Sequence, residues 1–390
     1  MLARVLRRMG HEVLFIVDAN PSLKLNRPEN RYEDITLPYP DWIYDASPIY
    51  LWKFPWPGPQ RAKVVRLLRS CDAVILNEYG LSLWSDIRRP AIALLTGTDL
   101  ETLANYQCAE VCLQSIQWTP YRMKLITLLK PILKLFYLRL IFKQRVGIRS
   151  AVAVTYFAKG LVPNGDALLA ELGVKDSQRE FLLMTDFEKI QLQPMPKNPI
   201  PRVFCVARLT WKKPAHLMAD SELNYKGSDI MIRGLGLFVR TTGIPLDIRL
   251  AKKGLHVAET MQLAKEEGID DQITWLEEMS QREVLEECKQ ADILFDQLGM
   301  SVVGMGGLDA MAVGRPLIAN GRPEIVEREI GVPSPICQAS TPEEVCAQLK
   351  RLTADPDERK RVGLASRRYV EDYFSAERAA RICLDYLKCK

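Results

Sequence analysis

ADILFDQLGMSVVGMGGLDAMAVGRPLIAN, residues Ala291 to Asn320, decides the fold. An apolar strand ends at Asp296, and a loop follows with glycines at 299, 304, 306 and 307. A compact helix, GLDAMAVG, carries one acid, Asp309, and a second strand, RPLIAN, comes after it. Strand, glycine loop, helix and strand in that order predict a parallel α/β unit. Such a loop lets a phosphorylated ligand approach the backbone and the positive end of a helix. The single acid sits where it can reach hydroxyls of the same ligand. The stretch therefore points to an α/β protein that handles a nucleotide-activated substrate.

Working outward, the same alternation recurs. VFCVARL (203–209), LDIRLA (246–251), QITWL (272–276), DILF (292–295) and PLIA (316–319) read as strands, with helices at 228–240, 257–267 and 280–289 between them. Upstream, EVLFIV (12–17), AVIL (73–76), AIALL (91–95) and AVAVT (151–155) predict a first set of buried strands, with a helix over 61–70. QLQPMPKNPIPR, residues 191–202, holds four prolines and reads as a stiff linker between two α/β domains. The tail predicts helices near 342–352, 356–371 and 375–387, the last capped by Ser375. The N-terminus reads as a helix, a turn at Gly10 and a strand from Glu12 to Val17. A doubly wound domain places a strand and a glycine turn before such a helix, so a first strand is missing from this sequence.

Composition narrows the chemistry. The chain has 390 residues, 47% hydrophobic and 26% charged, which suits two globular domains. A net charge of +5 is too mild to suggest nucleic acid. Nine cysteines without a C-x-x-C pair suggest free thiols in a reducing cytosol. The three histidines, 11, 216 and 256, lie far apart, which argues against a metal cluster or a histidine-based triad. The N-terminal basic residues lack the long apolar region of a signal peptide.

Two stretches of the first half stand out. YPDWIYDASPIYLWKFPWP (39–57) carries seven aromatics. It reads either as a loop pinned by its rings or as an acceptor-binding rim. Between Glu110 and Asp166 there is no acid but nine basic residues, among them Lys134, Arg139, Lys143 and Arg149. YRMKLITLLKPILKLFYLRLIFKQR alternates charge with apolar positions too often to span a bilayer. As an amphipathic helix pair, 111–165 suits an anionic membrane surface; the alternative is a hairpin with a solvated basic face.

VARLTW (206–211), NYKGSDIMIRGL (224–235) and LDAMAVGRPLIA (308–319), together with GHEV (10–13) and GTDL (97–100), resemble the retaining GT-B glycosyltransferases of family 4, the group that includes sucrose and mannosyl transferases. The resemblance implies two doubly wound domains across a deep cleft. Residues 1–196 form the acceptor side, completed by a final helix at 375–390 that crosses back, and 197–374 form the donor side. It implies a nucleotide-sugar co-substrate, UDP- or GDP-linked, with no separate cofactor and no metal. A glycan or lipid-linked acceptor follows, in surface polysaccharide or glycoconjugate synthesis at the inner face of the membrane. The alternatives are a catalytically silent subunit of this fold and a sugar-nucleotide epimerase.

The resemblance also assigns residues. Arg208 and Lys226 would neutralise the donor diphosphate. The family spacing selects Lys213, but Lys226 precedes the glycine and helix that the pattern requires, so Lys226 is favoured. Asp309 takes the place of a glutamate that holds the nucleotide ribose. A first glutamate is expected at position 301, where this chain has Ser301, and Asp296-Gln297 fits a variant that lacks it. Backbone amides at Gly304, Met305, Gly306 and Gly307 face phosphate or sugar oxygens. Asp99 would orient an acceptor or sugar hydroxyl, or cap the next helix. Lys252 would contact phosphate. Trp275 and Leu276 would meet the base, although Trp275 also suits an ordinary core.

Overall fold

The computed structural model describes residues 1–17, 27–46, 58–109, 123–212 and 225–388, with side chains of the long helix described from 131 onward. The N-terminal half contains α1 (Leu2–Arg8), β1 (Phe15–Val17), β2 (Ile43–Asp45), α2 (Pro59–Ser70), β3 (Val74–Leu76), α3 (Trp84–Ile87), β4 (Ala91–Leu94), α4 (Thr98–Glu101), α5 (Met123–Ser150), β5 (Ala153–Tyr156), α6 (Pro163–Glu171) and β6 (Arg179–Phe181). Strands β3 to β6 pair in parallel in sequence order, whereas β1 and β2 form a separate parallel pair. Among the described residues no strand joins the β1-β2 pair to the β3–β6 sheet.

The C-terminal half begins with β7 (Arg202–Cys205), α7 (Ser228–Thr242), β8 (Asp247–Ala251), α8 (Val257–Glu266) and β9 (Ile273–Leu276). It continues with α9 (Gln281–Gln290), β10 (Ile293–Phe295), α10 (Met305–Ala312), β11 (Leu317–Ala319), α11 (Pro323–Ile330) and β12 (Cys337–Gln338). Its six-stranded parallel sheet runs β12-β11-β10-β7-β8-β9. The centre is buried on both faces, as near-continuous apolar runs require. Phe204 and Leu294, paired in register, are both fully enclosed.

Helices α12 (Pro342–Ala354), α13 (Pro356–Tyr373) and α14 (Ala376–Lys388) follow. Ser375 Oγ accepts from the Arg378 amide at the start of α14, as the sequence predicts. Ala376 and Ala380 of α14 pack with Val5 of α1, and Ala379 and Cys383 pack with Ile92 and Ala153 of the N-terminal sheet. The two sheets face across a cleft. Met300 and Val302 of the glycine loop join the apolar cluster of the N-terminal half, so that loop belongs to both sides.

Residues 123–145 of the basic, apolar stretch lie in one helix, α5, rather than a pair; 110–122 lie outside the described residues. Pro131 is accommodated inside it. Of the aromatic stretch, 47–57 also lie outside, and Trp42 and Tyr44 lie under the cations of Arg7 and Lys63.

Candidate functional site

Strand β7 has β8 on one side and β10 on the other, so the chain reverses its direction of travel between β7 and β10. Loops leaving the carboxyl ends of two such strands diverge and open a crevice. Arg208 lies on the loop after β7, and Asp296 to Gly304 form the loop after β10. Arg208 is exposed and has no hydrogen-bond or ion-pair partner among the described residues.

Lys226 is drawn into the same place by its main chain. Its amide donates to the Thr210 carbonyl at 2.8 Å, and its carbonyl accepts from the Leu298 and Gly299 amides at 2.9 and 3.3 Å. Gly227 adopts φ +71°, and a Cβ there would collide with the Gly299 amide, so glycine is required. The Lys226 ammonium lies 3.0 Å from Met300 Sδ and makes no ion pair among the described residues. Burial is the main cause that lowers its pKa to about 8, partly offset by the nearby charges of Asp296 and Glu101. Lys213 lies outside the described residues.

His256 fixes the Arg208 loop. Its Nδ1 accepts from the Trp211 and Lys212 amides at 3.1 and 3.3 Å, and its own amide donates to the Leu209 carbonyl at 3.0 Å. Trp211 Nε1 donates to Thr260 Oγ1 at 3.1 Å. Sequence reading gave His256 no role, since isolated from its partners it is only one histidine.

The glycine loop is organised by the Asp296-Gln297 pair. Asp296 Oδ2 accepts from the Gly304 amide at 2.6 Å and thereby caps α10; Gln297 Nε2 donates to the Val302 carbonyl at 2.6 Å. A Cβ on Gly307 would lie 2.5 Å from Asp296 Oδ2, so this glycine makes room for the carboxylate. Burial raises the Asp296 pKa. The Gly304 amide is thus occupied. The first-turn amides of Met305, Gly306 and Gly307 have no intrahelical acceptor and remain for a ligand.

Asp309 is 8% exposed. Its Oδ2 accepts from Gln281 Nε2 at 3.3 Å, and its buried Oδ1 has no partner. Burial raises its pKa to about 6, against the opposing charges of Arg31 and Lys189.

The remaining expectations fare differently. Lys252 pairs with Glu277 at 2.7 Å, whereas among the described residues Arg208 and Lys226 form no ion pair. The Leu276 carbonyl accepts from the Lys252 amide at 2.8 Å, and Trp275 packs against the apolar core beneath the sheet. Asp99 is fully enclosed. Its carboxylate accepts from the Thr96, Gly97 and Leu100 amides at 2.9 to 3.1 Å, which is loop closure and not an outward-facing acid. Burial is the main cause that raises its pKa to about 6, with Glu78 adding to it. The acid of the N-terminal half that acts on Lys226 is Glu101, whose Oε1 accepts from Tyr156 Oη at 2.8 Å.

No family model and no curated sequence matches the chain. Solved structures do. Sucrose-phosphate synthase from Thermosynechococcus elongatus superposes with a TM-score of 0.60 at 14% identity, covering 99% of this chain and 91% of that one. HepE from Anabaena, in complex with UDP and glucose, gives 0.55 at 12% identity over 89% and 86% of the two chains. WaaG, a glycosyltransferase involved in lipopolysaccharide biosynthesis, gives 0.55 at 14% identity over 98% and 93%. These likenesses establish the two-domain GT-B architecture.

Proposed function

We propose that this protein is a glycosyltransferase that moves a sugar, with retention of anomeric configuration, from a UDP- or GDP-linked donor to a glycan or lipid-linked acceptor in surface polysaccharide or glycoconjugate synthesis. One observation carries the reading. Arg208 and Lys226 lie near enough at the switch point of the C-terminal sheet for Arg208 to act on the Lys226 charge, beside open helix amides, and among the described residues neither forms an ion pair. Unpaired cations gathered in a crevice call for an anionic ligand, and a diphosphate fits.

The chemistry follows from charge. The bond between the sugar C1 and the phosphate oxygen breaks while a bond from the acceptor oxygen to C1 forms. The acceptor proton passes to the departing phosphate oxygen. Negative charge collects on that phosphate, and fixed cations facing it lower the barrier. No enzyme nucleophile is required. The structures of HepE with UDP and with UDP-glucose support a nucleotide-sugar donor. A basic and apolar stripe on α5 supports an acceptor held at an anionic membrane surface, peripherally. Among the described residues no helix is long and apolar enough to cross a membrane.

The test is titration of the purified protein with UDP, GDP and their glucose and mannose conjugates. Saturable binding and slow donor hydrolysis are expected. Lys226→Ala should weaken binding about tenfold or more, since a charge-assisted contact contributes roughly 1.5–3 kcal/mol. Lys213→Ala should not. No binding of any nucleotide overturns the reading. Binding without turnover favours a silent subunit, a reading that Ser301 and the occupied Gly304 amide support. Release of a C2-epimerised sugar favours an epimerase.

A further inference from the structure

Helix α8 gives up its own cap. His256 occupies the N-cap position, where Ser, Thr, Asn or Asp normally accepts from the first turn of the helix, and makes no such bond. Its acceptor nitrogen, Nδ1, is turned away from the helix onto the Trp211 and Lys212 amides, at 3.1 and 3.3 Å. A ring nitrogen that accepts from two N–H groups carries no proton, so the imidazole proton sits on Nε2. The other tautomer would set three donors against one another.

The grip continues through neighbouring groups. The Leu209 amide donates to the Lys253 carbonyl at 2.8 Å, and the Leu209 carbonyl accepts from the His256 amide at 3.0 Å. Thr260 Oγ1 accepts from Trp211 Nε1 at 3.1 Å and donates to the His256 carbonyl at 2.6 Å. A Cβ on Gly254 would lie 2.3 Å from the Leu209 carbonyl oxygen, so the two loops are in direct contact. Thr210, inside the gripped segment, offers its carbonyl to the Lys226 amide at 2.8 Å. Arg208 and Lys226 thus hang from one short segment, 208–212, the first through the chain and the second through a hydrogen bond. Arg208 is near enough to act on the Lys226 charge. Like charges this close repel, so the segment needs a restraint if both are to stay in place.

We infer that His256 is a positioning residue of the donor site: its neutral ring, protonated at Nε2, holds segment 208–212 so that Arg208 and Lys226 already converge when an anionic ligand arrives. The inference rests on the nucleotide-sugar reading. It adds a side chain that touches no ligand and yet sets affinity, because a preformed cation pair need not be ordered at the moment of binding.

Titration of the full chain at neutral pH with UDP or GDP, whichever binds more tightly, tests this. His256→Ala should weaken binding about tenfold and speed amide exchange at Trp211 and Lys212. In an Arg208→Ala background the same change should weaken binding only about threefold or less, since a residue that acts through Arg208 then has less to position. His256→Asn, which keeps an acceptor oxygen in the place of Nδ1 and suits an N-cap, should recover most of the affinity. Nitrogen NMR of the histidines should find the His256 proton on Nε2. Thermal unfolding identifies any variant lost to misfolding, and the Asn variant carries the test in that case. If Lys226→Ala weakens binding but His256→Ala does not, or costs as much without Arg208 as with it, the His256 assignment is overturned and the donor site stands. An Asn variant as weak as the Ala variant also overturns it, because the acceptor is then not the cause. If wild type binds no nucleotide, both readings fall.

Discussion

Asp309 and Lys226 bring opposite charges into the crevice and titrate on opposite sides of neutrality. Burial holds the Asp309 carboxyl near 6 and the Lys226 ammonium near 8. A hydroxyl bonds an ionised Asp309 more strongly than a protonated one, and a phosphate is attracted to Lys226 by charge only when the amine is protonated. Affinity for a nucleotide sugar, whose phosphate diesters keep constant charge here, should therefore peak between pH 6 and 8. It should fall about tenfold from pH 7 to pH 5 through Asp309, and again above pH 8 through Lys226. Asp309→Asn should abolish the acid limb alone, and Lys226→Ala the alkaline limb alone. A flat profile in wild type would show that neither group meets the ligand. Asp99 titrates near 6 as well. Its partners are loop amides, so its contribution belongs to folding.

At the scale of elements, the segment between the halves is a clamped strap. Arg315 is fully enclosed and forms no ion pair among the described residues. Its guanidinium donates to the carbonyls of Gln193, Pro194, Lys289 and Ala291 at 2.6 to 3.0 Å. Arg367 does the same with Ile190 and Ala312 at 2.8 and 2.6 Å. The prolines of 191–202 deny the strap its own regular hydrogen bonding, and two arginines supply it from α13 and the turn after α10. Burial lowers the Arg315 pKa to about 10. Arg315→Met should strand several buried carbonyls and destabilise the protein by about 3 kcal/mol. Urea unfolding at unchanged m-value measures this, and a shift below about 1 kcal/mol would mean that the strap needs no clamp.

At the scale of the molecule, α5 links the cleft to an outer surface. Gln144 Nε2 donates to the carbonyls of Glu78 and Asp99 at 2.6 and 3.2 Å, so its carboxyl half braces the loops above the N-terminal sheet. Further along, Ile132, Leu135 and Phe142 are 51%, 66% and 58% exposed on one stripe, with Lys134 and Arg139 beside them. Full-chain protein should sediment with vesicles containing phosphatidylglycerol and not with neutral vesicles. Leu135→Glu with Phe142→Glu removes two apolar anchors of roughly 1.5 kcal/mol each and should weaken that binding about a hundredfold at unchanged thermal stability. Sedimentation indifferent to lipid charge would remove the membrane from the reading.

The sequence by itself determined the parallel α/β alternation, the glycine loop and the helical tail. These follow from local rules: apolar period, glycine punctuation and caps such as Ser375. It also carried the Lys226-Gly227 pair, because a glycine before a helix pattern is legible without the fold. The tertiary structure decided which groups are free. Asp99 and Lys252 are good candidates as letters and occupied groups in space, because only folding brings the loop amides and Glu277 to them. Arg31 Nε and Asp309 Oδ1, 278 positions apart in the chain, are both buried without a partner among the described residues. Whether two buried polar atoms are left without partners depends on everything packed around them, and no local pattern encodes that.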